Sequence, residues 1–459
     1  MLDTIIFLTP FVLYLGCIVG VTFSVRSRGD DADYFFAKRQ LGTIPALMSV
    51  VSTETSVATT VVFPAAGMKG GYVLVWLLLG YIVGRTIVSL FYLRALYESS
   101  RLTIYQTMSG HHRVLEGTYL LAKYISGGTR YFIGGYALHQ ILGGPTWLWI
   151  LIVAVFAGAY SLTGGLRAVV LMDQIQSALI VSVGAFLLLF LTRYLPAGGM
   201  PVPEFTNWRP TDYTFTPILF LGGAVLSIGS HGADQDLLLR ILATKDFRSA
   251  QRSLILSGFV AAFMISLYLS VGYLLRFVPI TDLDAKSPLA DFIIRADLPL
   301  VKGLFLVLLS AAAMSSLDST IHSTGAIWKS LMHSTRVGRF WSALSMLIMI
   351  GFALLFTTIS TRHSDFLALC MGSMNYVNGG LIGIVTVFTF FPRRLKAAGI
   401  IAALITGFAT TSICEWAFSK PVPWTYTVLL ASSLAFLVCM LGGRVTHGAG
   451  DEREPARGR

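Results

Sequence analysis

The chain has 459 residues, of which 55% are hydrophobic and only 12% charged, and its mean hydropathy is +0.72. A water-soluble globule of this size would carry about a quarter charged residues to cover its surface, so the composition excludes one and predicts a polytopic membrane protein. The formal net charge of +11 does not mark a nucleic-acid partner, because Lys and Arg are spread through short loops between apolar runs instead of forming one basic patch.

Apolar runs of about 20 residues recur almost end to end, which predicts spanning helices, since barrel strands would be shorter and alternate polar with apolar. In chain order the runs lie near 4–25, 43–67, 71–97, 117–142, 145–163, 168–195, 215–232, 250–278, 298–330, 338–361, 364–391, 395–417 and 421–443, about thirteen spans in a bilayer. The first run follows the lone acid Asp3 and has no small-residue cleavage site before Arg26 and Arg28, so it reads as a retained helix. With the N-terminus outside, cytoplasmic loops and flanks collect about 22 Lys and Arg against about seven outside, which predicts an N-out, C-in protein of a cell inner (plasma) membrane. Arg26, Arg28, Lys38, Arg39, Arg240, Lys245, Arg248, Arg336, Arg339, Arg393, Arg394 and Lys396 belong to the cytoplasmic group. The longest loops, 196–214 and 279–297, run to about twenty residues, so function is expected within one transmembrane domain covering 1–459. Cys17, Cys370, Cys414 and Cys439 lie in apolar runs without metal-ligand spacing and read as small hydrophobes.

Two spans are poor continuous helices. The second holds Ser52-Thr53-Glu54-Thr55-Ser56 and Thr59-Thr60 at mid-membrane depth, followed by Pro64 and Gly67; the seventh holds Gly222-Gly223, Ser227, Gly229-Ser230-His231-Gly232 and Asp234. Unwinding is expected at both, and paired interruptions five spans apart are the pattern of an inverted-repeat transporter with a midplane binding site. Glu54, Arg85, Lys123, Arg130, Asp173, Lys302 and Asp318 are the most deeply placed ionisable residues, whereas Arg276 and Glu415 are near enough to a span end to snorkel. Each deep charge is either functional or half of a structural ion pair, and for Arg85, Lys123 and Lys302 no partner is visible in the sequence.

In the ninth run, Ala312, Ser315 and Ser316 fall at i, i+3 and i+4 on one helical face. Two hydroxyls and a carbonyl there, with carbonyls freed at Ser52 and Thr55, would supply about five neutral oxygens suited to sodium. The same spacing also serves helix packing in membranes.

These residues resemble the solute:sodium symporter family, whose members carry sugars, proline, pantothenate, iodide, monocarboxylates and sialic acid. Asp30-Asp-Ala-Asp-Tyr34-Phe-Phe-Ala-Lys38-Arg39-Gln-Leu-Gly42 is similar to the family's first cytoplasmic loop, and Gly164-Gly165-Leu-Arg167 through Asp173 and Gln176 to the start of its sixth span. Gly229-Ser-His231-Gly232-Ala-Asp234-Gln235 through Arg240 resembles its glycine-histidine-glycine run, and Ala312 through Ser319 its ninth-span sodium motif. The resemblance covers nearly the whole chain. It implies an all-α, LeuT-type 5+5 inverted repeat over 43–392, preceded by an extra helix and loop in 1–42 and followed by two extra helices in 393–443 and a basic cytoplasmic tail, 444–459.

The resemblance further implies a sodium site of Ser52 and Thr55 main-chain oxygens, the Ala312 carbonyl and the Ser315 and Ser316 hydroxyls, with Asp173 serving a further sodium or tuning the first. Glu54 stands where proline transporters carry an acid. Sugar-recognising relatives use a glutamine where Thr59 stands and an acid where apolar Leu78 is read, which argues against a sugar. Arg130 matches the arginine that captures the carboxylate in sialic acid transporters, and a planar five-donor guanidinium suits that group. The expected solute is therefore a small carboxylate-bearing molecule, with Glu54, Ser56, Thr59, Ser227 and His231 completing its pocket; for the last four, packing or backbone bonding at a kink is the competing reading.

The function this implies is sodium-coupled import by alternating access, with sodium as the co-transported ion and the solute, sodium and lipid as partners. The alternatives are a solute-sensing module without net flux, a symporter for a neutral sugar or polyol, or a channel. No metal-spaced His cluster, nucleophile elbow or phosphate loop argues for an enzyme, and His111-His112 reads as a solvated loop pair.

Overall fold

The computed structural model describes residues 2–442 apart from 28–29, 100, 109–111, 200, 211, 213, 286, 361–363, 392–394 and 419–421, with side chains of 58, 70 and 360–375 also excluded. Arg28, His111, Arg393, Arg394, the Cys370 side chain and the 444–459 tail thus lie outside the described residues.

Among the described residues eighteen α-helical segments follow one another: α1 (Leu2–Ser24), α2 (Asp31–Phe36), α3 (Thr43–Glu54), α4 (Val57–Gly70), α5 (Val75–Ile87), α6 (Leu93–Glu98), α7 (Ile104–Met108), α8 (His112–Leu142) and α9 (Thr146–Leu191). They continue as α10 (Thr216–Gly232), α11 (Gln235–Leu242), α12 (Phe247–Leu274), α13 (Pro288–Ala296), α14 (Pro299–Leu331), α15 (Gly338–Ser360), α16 (Ser364–Phe390), α17 (Ala397–Trp416) and α18 (Trp424–Gly442). Among the described residues the one β-type contact is an isolated bridge between Leu41 and Thr244. Among the described residues every expected apolar interval is largely helical, but by length and apolarity eight helices there can cross a membrane, or up to ten if each bent pair counts as one span. α8 misses that standard because its Gly, Ser, Thr, Tyr, His and Gln residues, together with Glu116, Lys123 and Arg130, lower its hydropathy.

The order of burial locates the core. The apolar window of α14 is 83% buried and that of α1 22%, so α14 is the central post and α1 lies at the rim. α1 nevertheless turns one face inward, since Phe11, Tyr14, Ile18 and Val21 recur at helical spacing and are buried. The runs 145–163 and 168–195 form the single segment α9, broken at Gly165, whose φ of +62° an L side chain rarely adopts. A Cβ there would also lie 2.8 Å from the Tyr34 carbonyl oxygen, so the bend seats α2 under the bundle.

The two interruptions are shorter than the sequence suggested. α3 and α4 meet at Thr55-Ser56 and diverge by 69°, and α10 and α11 meet at Ala233-Asp234 and diverge by 63°. α10 runs helically through Gly222-Gly223, which corrects the expectation of unwinding there: these glycines admit neighbouring helices. A Cβ on Gly223 would collide with the Leu77 carbonyl of α5, and one on Gly222 would press on Thr425 of α18. Gly80 and Gly84 of α5 meet the α10 backbone in the same way, while Gly67 of α4 and Gly272 of α12 bring that pair together.

Gly80→Val should wedge α5 from α10 at a cost of about 1–3 kcal/mol and lower the melting temperature of the purified protein. Gly20→Val, at a site with no heavy atom within 4 Å, should leave it unchanged. Equal melts for the two variants would contradict the close packing of α5 on α10.

Candidate functional site

The break after α3 is held open by local chemistry. Thr55 leaves helical geometry at φ −82°, ψ 103°, and Ser56 is extended and caps α4. The Thr59 hydroxyl accepts from the Ser56 backbone N–H at 3.2 Å, completing a capping box, so both residues have the backbone-bonding role of the competing reading. The Thr55 carbonyl is left without a helical partner and points at α14. There the Ser315 Oγ lies 3.3 Å from the Thr55 carbonyl oxygen and 3.3 Å from that of Ala312, and the Ser316 Oγ lies 3.5 Å from Ala312 O. Ser52, Thr55, Ala312, Ser315 and Ser316 are all buried, and the Ser52 carbonyl accepts from Thr55 N–H at 3.1 Å.

Below this oxygen cluster lies a charged one. The Arg240 guanidinium, on α11, donates to Ser49 Oγ at 2.7 Å and to Ser319 Oγ, and its Nη2 is 3.4 Å from Asp173 and 3.8 Å from Asp318. Tyr160 donates to Asp318 at 2.6 Å, and Ser49 to Asp173. Arg240 is 0% exposed, which corrects its assignment to a cytoplasmic flank: α11 folds back into the bundle after the break, and two acidic neighbours compensate the buried cation. Asp173 thus contacts α3 and α11, not the Ser315-Ser316 face.

On the other side of the break is a cavity of about 250 Å³, walled by Thr53, Glu54 and Thr59, Phe63 of α4, Tyr81 and Arg85 of α5, Lys123 and Arg130 of α8, Ser227, Ser230 and His231 of α10, Asp234, Asp236 and Leu237, and Ile265 of α12. Of the six expected solute contacts, Glu54, Thr59, Arg130, Ser227 and His231 are on the wall, while Ser56 is not. Glu54 is held by Arg85 and by His231, tying the end of α3 to α5 and α10. Arg85 also donates to Ser257 at 3.1 Å. Lys123 sits between Asp234 at 2.9 Å and Asp236 at 2.7 Å, with Tyr119 donating to both acids and Thr320 to Asp236. Arg130, seven residues along the same face of α8, has no hydrogen bond or ion pair to the described residues and acts on Asp236 only through space.

The ion-pair reading therefore fits Arg85 and Lys123. Lys302 pairs with Asp297 at 2.5 Å at the exposed start of α14 and belongs to no site. Tyr81, Asp234 and Asp236 were not singled out for the wall. Asp234 had a signal, an acid three residues after His231 that caps α11 by accepting from Asp236 N–H at 2.9 Å. Among the described residues no cluster of three His, Cys, Asp or Glu could hold a transition metal.

Two helix breaks beside a polar cavity in an apolar helical bundle are the architecture of a membrane transporter. The chain belongs to the sodium:solute symporter family, whose profile matches residues 34–407. It is 26% identical over 483 residues to the sodium/pantothenate symporter of Escherichia coli, covering 94% of this chain and 95% of that protein. It is 22% identical over 414 residues to the human sodium/iodide cotransporter, covering 82% of this chain but only 64% of the human protein's length. In fold it is similar to a Na+-coupled sialic acid symporter solved in a substrate-bound outward-open state, with a TM-score of 0.83 at 17% identity over 96% of this chain and 98% of that one.

Removing the ammonium in Lys123→Met should leave Asp234 and Asp236 uncompensated and destabilise the protein by about 3–5 kcal/mol. Lys123→Met combined with Asp236→Asn should recover part of that loss in a melting experiment. A double variant no more stable than the single one would show that the pair is not the coupled unit described.

Proposed function

We propose that this protein imports a small carboxylate-bearing solute together with sodium by alternating access, across a cell inner (plasma) membrane and with its N-terminus outside and its C-terminus inside. Sodium sits among the main-chain oxygens of Ser52 and Thr55, the Ala312 carbonyl and the Ser315 and Ser316 hydroxyls, with Asp173 tuning the site through α3. What carries the reading is the spacing at Ser315, whose hydroxyl is 3.3 Å from carbonyls on two different helices, one of them freed by the break. Ligands about 2.3–2.6 Å from a hard cation of calcium's size and at right angles to one another lie roughly 3.3–3.7 Å apart, and sodium is of nearly that size.

The solute occupies the adjoining cavity, its carboxylate on Arg130. Arg85 and Lys123 are each engaged with carboxylates of the protein, which leaves the Arg130 fork as the cation available to an incoming anion. A LeuT-type repeat of five plus five spans within thirteen accounts for the packing of α3 on α12 and α10 on α5, because exchanging spans two to six with seven to eleven converts one pairing into the other. Sodium binding would join the α3 break to α14 and favour the state open to the outside, and rocking of the bundle would then release both cargoes inside. The membrane potential adds about 2.3 kcal/mol per sodium per 100 mV.

Ser316→Ala should raise the sodium concentration for half-maximal uptake about tenfold or more, the effect of losing one charge-assisted contact; unchanged sodium dependence would count against the site. Arg130→Ala should abolish carboxylate uptake while sodium still raises the melting temperature, and retained uptake would sink the carboxylate assignment.

A further inference from the structure

We propose that a groove between α8, α15, α16 and α17 is a lipid site whose occupant is phosphatidylethanolamine, with one acyl chain along the groove and the headgroup ammonium on Glu415.

The groove has a volume of about 730 Å³ and, among the described residues, shares none with the solute cavity. α8 separates the two. It gives Lys123 and Arg130 to the cavity and, from another face, Thr118, Leu121, Ala122 and Ile125 to the groove. The rest of the wall is mainly aliphatic and aromatic, and the polar side chains on it are already bonded within the protein. Thr118 donates to the Val114 carbonyl at 2.9 Å and Ser412 to the Phe408 carbonyl at 2.9 Å. Trp416 donates to the Tyr376 hydroxyl at 2.9 Å, and Tyr376 donates to Glu415. Water or a polar solute entering the groove would leave its own hydrogen bonds unmade. The rim opens outward through Leu121, Leu355, Phe408 and Trp416, each half exposed or more, and around spanning helices the medium at such a rim is lipid.

The length suits an acyl chain. α8 and α15 run side by side in the same direction, with Tyr124 at Ser345, Gly127 at Met349 and Gly128 at Ala353. Thr118 precedes the last of these contacts by ten residues and Ile359 follows it by six, so at 1.5 Å per residue the groove extends roughly 24 Å. That exceeds the roughly 15 Å half-thickness of a hydrocarbon core, and a chain entering at one end can lie along it.

Glu415 selects the headgroup. It stands in the last turn of α17, a spanning helix that ends at Trp416, so it lies towards headgroup level. That turn holds no basic residue, and the carboxylate adds to the negative end of the helix dipole. Tyr376 bonds it, but among the described residues no base pairs with it. A primary ammonium supplies both the missing charge and N–H donors. A choline headgroup has no N–H to give, and a glycerol headgroup leaves the lipid phosphate negative beside the acid.

The test is a lipid titration of the detergent-purified full chain by native mass spectrometry, using phosphatidylethanolamine, phosphatidylcholine and phosphatidylglycerol with identical chains. Phosphatidylethanolamine should bind about tenfold or more tightly than the other two, and Glu415→Gln should remove that preference. Phosphatidylethanolamine carrying a photoreactive group in mid-chain should label α8 and α15. Ser412→Trp, which fills the groove, should remove this labelling, and Leu355→Trp fills it from α15 if the first variant does not fold. Ile405→Trp, at an exposed position of α17 outside the groove, should leave the labelling intact. Equal binding of the three lipids to the wild type, the result if Lys420, outside the described residues, neutralises Glu415, would overturn the proposal. So would an ethanolamine preference that survives Glu415→Gln, or labelling of α8 and α15 no stronger than at the exposed Leu13 of α1.

Discussion

Backbone groups released by a helix break at bilayer depth have no water to turn to, so each must find a partner inside the protein, and the breaks at Thr55 and Ala233 determine what the helices around them must carry. At the first, α14 supplies hydroxyls: Ser315 reaches the Thr55 carbonyl, and Thr53, two residues earlier, meets Ser319 at 3.0 Å. At the second, Asp234 caps α11, and Tyr105 donates to the Ala233 carbonyl at 2.7 Å. α14, the most buried of the long apolar helices, is therefore also rich in hydroxyls over its middle third. An oxygen cluster that satisfies a broken backbone in this way is the basis of the sodium site proposed above.

Buried charge follows from the same constraint. Three groups, Glu54 with Arg85 and His231, Lys123 with Asp234 and Asp236, and Arg240 with Asp173 and Asp318, connect segments next to a break to the helices that pack around them. Apolar side chains of similar volume would hold such contacts at no greater cost, so stability alone does not explain them. Ion pairs can be exchanged for contacts with a passing cation or anion, and they sit where such an exchange would move α3 and α10–α11 against α14. The glycine-lined contacts of α5 with α10 and α4 with α12 complement them, since small residues let each pair pack backbone to backbone.

The helical intervals, the two polar interruptions and the hydroxyl row at Ala312, Ser315 and Ser316 were legible in the sequence because each is a local pattern, a run length, a composition change or a spacing of three and four. What was not legible depends on partners far along the chain. Arg240 reads as one more base beside Lys245 and Arg248, and only the return of α11 into the bundle brings it to Asp173, 67 residues away. Lys123 shows no partner within a helical turn, yet its acids stand 111 and 113 residues downstream. The pair Gly222-Gly223 suits an unwound segment and a close helix contact equally well, and the position of α5 decides for the contact. Ser56 and Thr59 have the composition of ligands; their geometry makes both caps of α4, and Thr59 also faces the cavity.

The central claim is that the α3 break and α14 together hold sodium. Equilibrium binding of radioactive sodium to the purified wild-type protein, with choline as the background cation and potassium as competitor, tests it without knowledge of the solute. The account predicts saturable binding that potassium does not displace. Sodium retained no better than in a control protein of similar size would contradict it.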